Sequence, residues 1–183
     1  MRLAFTFFVA GFVSFAVPAS AQSPDPVAPV KEVMDITISN WSEDVDEWKS
    51  IFESELLDRL YARDLVALYR QASEKAAKLF DSDDPVDPFD YDVVTGSPDG
   101  CPLQDVKIAL AGEKDGVSDV VATFRLWTCE ENEDTRNLVT EAHFEVVQED
   151  GRAVIRDIYH ILDGERDSVV EELRTMIAQE DDE

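Results

Sequence analysis

The chain has 183 residues, 44% of them apolar and 31% charged, enough for one domain of ordinary size with its own core. Its 16 Lys and Arg stand against 41 Asp and Glu, a formal net charge of -25. A field of that sign repels phosphate backbones and anionic lipid, which excludes nucleic acid and bare membrane surface as expected partners, and the apolar fraction excludes a wholly disordered chain.

Residues 1–21 read as a secretory signal peptide. Arg2 supplies a positive start, Leu3 to Val17 form an apolar run, and Ala19-Ser20-Ala21 offers the small-x-small cleavage site. The apolar run falls short of the roughly 20 residues that cross a bilayer, and Pro18 closes it. The expected product is therefore exported, periplasmic or secreted, with no membrane insertion after cleavage. Export places Cys101 and Cys129 where disulfides form, and a bridge between them would stabilise by roughly 3–4 kcal/mol. They form no Cys-x-x-Cys and no zinc spacing with the histidines.

Residues 22–28 are Pro-rich and polar, a flexible linker. The single domain is expected over 29–178, with an acidic tail over 179–183. Pro29 suits a first helical turn, and Val30, Val33 and Met34 follow at helical spacing. From Trp41 to Phe80 the spacing predicts two or three helices. Trp48, Ile51, Phe52, Leu56 and Leu60 form one set, Leu65, Leu68 and Tyr69 another, and Ser54 or Asp64 is the candidate cap. Residues 81–99, with seven Asp and three Pro, predict an irregular connection that Phe89 or Tyr91 anchors to the core.

Strand alternation follows. Val106, Ile108 and Leu110 share one face, as do Val120, Ala122, Phe124 and Leu126, then Leu138, Thr140, Ala142, Phe144 and Val146. Ala153 to Leu162 gives the last strand, and Glu149-Asp150-Gly151 reads as the hairpin turn before it. Ser168 and Glu171 have capping-box spacing for a final helix carrying Val169, Val170, Leu173 and Ile177. Helices first and a strand meander afterwards predict an α+β fold, helices packed on a curved antiparallel sheet, with a C-terminal helix.

Three stretches resemble a bacterial family of small exported proteins that carry a domain of unknown function on the nuclear transport factor two-like (cystatin-like) cone. Leu60 to Tyr69 (LYARDLVALY) is similar to that family's helix with a Ser/Asp-x-Leu-x-x-Leu start. Phe89 to Asp99 is similar to its Asp-Pro to Gln-Asp lead into the sheet, and Val154-Ile155-Arg156-Asp157-Ile158 to its closing Trp-x-Ile-x-Asp-Ile strand. Val93 stands where Pro is common there, Pro98 where Gln is, and Ala153-Val154 where Trp is. The resemblance spans about residues 29–178 and implies the cone fold and export, with no established activity.

Candidate chemistry is sparse. The Asp-rich run holds oxygen ligands suited to calcium, but counting from Asp81 places Val86 and Asp92 where an EF-hand needs Gly and Glu, and Pro85 and Pro88 prevent that loop. No metal and no cofactor are expected. Asp157 shares strand parity with Ile155, Tyr159 and Ile161, which would aim it into the concave face, where a buried carboxylate has a raised pKa and can act as a base. Alone it is no mechanism, and a structural Asp satisfied by backbone or Tyr donors is the favoured reading. His160 lies on the opposite parity, and His143 sits between Glu141 and Glu145. Tyr91, Trp127 and Tyr159 are the partner or pocket candidates. Asn40-Trp41-Ser42 is a glycosylation sequon.

Two functions are expected from these residues. The first is a non-catalytic exported binding module for a protein or small molecule, such as an inhibitor of a basic protein. The second is a small isomerase- or dehydratase-like pocket enzyme using Asp157 as base.

Overall fold

The computed structural model describes residues 23–162 and 165–179. The signal expected over residues 1–21 and residues 180–183 of the tail lie outside them.

Helix α1 (Val27–Asn40) starts inside the stretch read as linker. Val30, Val33 and Met34 are fully buried on its inner face, and the Thr37 hydroxyl is satisfied by donating to the Val33 carbonyl at 3.1 Å. The helical spacing expected after Trp41 fails, for no helix forms between Trp41 and Glu53. Glu43, Asp44, Asp46 and Glu47 would stand three and four apart on such a helix and repel one another. Instead the Asn40 amide closes the segment, donating to the Lys49 carbonyl at 2.8 Å and accepting from the Lys49 N–H at 3.0 Å. Ile51 and Phe52 still reach the core, but Trp48 is 54% exposed. The same bonds bury the side chain of the sequon asparagine in contacts with its own chain.

Helices α2 (Ser54–Leu60) and α3 (Arg63–Leu79) follow. Glu53 and Ala62, not Ser54 and Asp64, occupy their N-cap positions, and neither helix has a side-chain cap. The sheet caps α3 instead. The Ala62 N–H donates to the Ile155 carbonyl at 2.8 Å, and the Arg63 N–H donates to the Glu149 carboxylate at 3.2 Å. These bonds satisfy donors a helix start leaves open and tie the helical half of the chain to the sheet.

Strands β1 (Gln104–Lys114), β2 (Val117–Arg125), β3 (Thr140–Glu149), β4 (Arg152–Leu162) and β5 (Glu165–Ser168) pair antiparallel in the order β1-β2-β3-β4-β5. The α+β class with an antiparallel sheet is as the sequence predicts; β5 and the short helix α4 (Glu133–Arg136) are additions. Asp115-Gly116 and Asp150-Gly151 are two-residue hairpin loops with φ of 53° and 79°, and 50° and 76°. Such type I′ turns match the twist of the flanking strands and favour Asp-Gly. One core cluster joins Val120, Phe124, Phe144 and Ile158 of the sheet to Met34 of α1, Leu65 of α3 and Leu173 of the last helix, α5 (Val169–Ala178). Among the described residues no helix is long and apolar enough to cross a membrane.

Candidate functional site

The chain from Asp92 to Ser97 is a tight turn built by one carboxylate. Asp92 Oδ1 accepts from the Val94 and Thr95 N–H groups, each at 2.9 Å, while its Oδ2 accepts from the Trp41 indole at 3.1 Å. His160 holds the turn against β4, its Nε2–H donating to the Val93 carbonyl. Gly96, at φ 68°, lies so close that a Cβ there would sit 3.1 Å from the His160 ring. His160 is thus a buried packing residue.

Beside this turn opens a groove of about 390 Å³. Leu126, Trp127, Leu138, Val139 and Ile161 of β4 are the apolar residues that line it. Leu138, Val139 and Ile161 are 54%, 61% and 40% exposed, so the groove presents apolar side chains to solvent. The wall leading to Leu138 is fixed at two points. Cys101 and Cys129 form a disulfide with their Cα atoms 5.7 Å apart, and Asn132 caps α4 by accepting from the Thr135 N–H at 3.1 Å. The Cys101 N–H also donates to the Leu126 carbonyl at 2.8 Å. The connection between β2 and β3 carries exposed Glu130, Glu131, Glu133 and Asp134 against Arg136. An apolar groove is therefore flanked by an acidic loop.

Asp157 is elsewhere. A β-bulge shifts the β3–β4 register, so Val146 faces Ile155 while Glu145 faces Asp157. Ile155 and Ile158 both enter the core. Parity counting across Arg156 therefore misplaces Asp157, which stands with Glu145 and Tyr159 instead of Ile155. Its carboxylate accepts from the Ser168 hydroxyl at 2.7 Å, the Val170 N–H at 3.1 Å and the Ile158 N–H at 2.8 Å. Ser168 in turn accepts from the Glu171 N–H at 3.1 Å, the cap expected from the sequence. Burial pushes the Asp157 pKa up, and the Ser168 hydroxyl and the Val170 and Ile158 amides pull it partly back. What this arrangement does is cap α5.

The other candidates are not brought together. Tyr91 hydrogen-bonds Glu172 of α5, stands edge-on to Phe89 and His160, and lines a small pocket beside Trp48. Trp127 lines the groove. Tyr159 lies under the Arg166 guanidinium, 4.3 Å from its ring centre. His143 reaches Asp119 at 3.1 Å. No cluster of three or more His, Cys, Asp or Glu side chains among the described residues is placed to hold a metal ion. The residues that sequence reasoning missed are Leu138, Val139 and Ile161. Leu138 was expected on the inner face of a strand, but β3 begins only at Thr140.

No protein-family model, curated protein or solved structure matches this chain.

Proposed function

We propose that the chain is an exported, non-catalytic binding protein whose groove at Trp127 takes an apolar segment of a basic partner protein, in the manner of an inhibitor. The observation that carries this reading is the exposed trio Leu138, Val139 and Ile161 beside the acidic run from Glu130 to Asp134. Apolar contact supplies affinity there, while a net charge of -25 attracts basic partners over distance and repels acidic ones. Export is supported by the signal-like residues 1–21 and by the Cys101–Cys129 bridge. The resemblance to the cystatin-like cone is part of the same proposal; a helix-first order ahead of an antiparallel meander supports it.

The test is capture from periplasmic extract by immobilised wild type and by Leu138→Asp with Val139→Asp. Both positions are exposed, so folding should survive. Basic proteins retained by the wild type, lost with the double variant and released by added salt are the expected result. Equal capture by both forms, or retention of acidic proteins, would overturn it.

The pocket-enzyme reading has one observation in its favour, the raised pKa of Asp157. Its oxygens are committed to Ser168, Val170 and Ile158, and the groove at Trp127 and the pocket at Trp48 are lined by other residues. Binding is the better-supported function.

A further inference from the structure

A second concave feature lies on the other side of the Asp92 turn. Trp48 projects from the acidic loop, 54% exposed, and its ring meets Trp41 edge-on at 6.0 Å and 73°. With Phe89 and Tyr91, whose rings meet at 5.8 Å and 75°, it lines an open pocket with room for about 40 Å³. That volume suits a group little larger than a water, whose share of liquid is about 30 Å³.

The charged residues of the lining are Asp87, Asp92 and Lys49, and both carboxylates are fixed in place. Asp87 accepts from the Phe89 N–H and the Ser50 hydroxyl, both at 3.2 Å, and Asp92 is held by Trp41, Val94 and Thr95. All these donors are neutral. Neither carboxylate pairs with a Lys or Arg among the described residues, whereas Asp58, Asp105 and Glu145 each do. Burial also pushes the Asp87 pKa up. The Asn40–Lys49 bonds hold the loop in this shape without a ligand.

We infer that the Trp48 pocket binds a primary ammonium group, with the aromatic rings and the Asp87 carboxylate as its recognition elements. An ammonium is compact enough for the space. An indole face attracts cations more strongly than any other side-chain ring, and anchored carboxylates supply charge-assisted acceptors. A lysine side chain of a protein or a free alkylamine would present the same head group. The inference does not depend on the groove at Trp127, and its failure would leave that reading intact.

The probe is n-butylammonium chloride, titrated against sodium chloride at equal ionic strength and followed through the three indole N–H resonances of the full chain. The expected result is a saturable shift of the Trp48 resonance, identified by its loss in Trp48→Ala. Asp87→Asn should weaken binding about threefold or more, as expected for removing one partly exposed charge partner. Lys49→Gln should leave binding equal or tighter, since Lys49 is a like charge on the lining. A linear response, an equal response to sodium, or shifts confined to Trp127 would overturn the inference. So would unchanged affinity in Asp87→Asn.

Discussion

Two carboxylates among the described residues have their pKa values raised by burial, Asp157 and Asp87, and they serve opposite ends. Asp157, 7% exposed, spends its oxygens on the junction between β4 and α5. Asp87 stands at the edge of an aromatic pocket, anchored by neutral donors and without a cation. A raised pKa therefore does not distinguish a structural carboxylate from one available to a ligand. The distinction lies in how completely the surrounding chain uses the oxygens, and each prediction below perturbs one side of it.

The largest effect is expected at the disulfide that holds the open side of the molecule. Replacing Cys101 and Cys129 by Ala should cost about 2–5 kcal/mol, since the bridge shortens the unfolded chain's loop and pins the groove wall. Thermal melting with and without reductant measures it. Unchanged melting, or free thiols in protein purified without reductant, would contradict the pairing.

On the closed side, Asp157→Ala removes the acceptor for two backbone N–H groups and one hydroxyl in a buried site, and should cost about 3 kcal/mol. Asp157→Asn, which keeps one acceptor oxygen, should cost less and change the pH response. Because the folded pKa of Asp157 is raised, the folded state binds its proton to higher pH than the unfolded chain does. Its contribution to stability is therefore greatest at acid pH and is lost as pH rises from the unfolded value near 3.8 through the raised one. Denaturation of the Asn variant should show a flatter pH dependence over that window. Parallel curves would mean that Asp157 does not titrate there.

How much of this was legible in the sequence follows the range of the interactions. The Ser168–Glu171 cap and the Asp150-Gly151 turn are local, and the residue order alone identified both. The Asp115-Gly116 turn carries the same local signal. The facing of Asp157 was not legible, because a bulge is a property of a pair of strands and alternation is counted along one. Trp48 misled for a related reason. Its spacing to Ile51 and Phe52 is helical, but the repelling acids before it and the Asn40–Lys49 bonds settle the segment as a loop. The groove was invisible since Leu138, Val139 and Ile161 come together only when the β2–β3 connection folds beside β4.

A smaller change should sharpen the contrast by improving the core between the two regions. The Tyr61 hydroxyl is buried without a hydrogen-bond partner, and its ring packs at 5.1 Å from Phe52. Burial drives its pKa well above the usual phenol value, so the group stays neutral. Tyr61→Phe keeps the ring and removes the unsatisfied oxygen, which should raise stability by about 1 kcal/mol. A loss of similar size in denaturant melts would reveal a partner, such as a bound water.

The smallest effect is expected for Asp87→Asn, and that smallness decides between the two roles. Asn keeps one carbonyl oxygen to accept from the Phe89 N–H or the Ser50 hydroxyl, and although the neighbours it bonds shield the carboxyl, the residue as a whole keeps solvent contact, so water can replace what is lost. Removing the charge also relieves the desolvation that raises the carboxyl's pKa. These terms oppose one another, and the net change in stability should stay within about 0.5 kcal/mol, the usual range for a surface substitution. By the argument used for Asp157, wild-type stability should again fall relative to the Asn variant as pH rises above 3.8, by a smaller amount because solvent reaches the group. A near-silent change in stability that still weakens ammonium binding would separate a carboxylate kept for a ligand from one kept for the fold. If Asp87→Asn instead costs as much as Asp157→Asn, both carboxylates are structural and the contrast between the two regions fails.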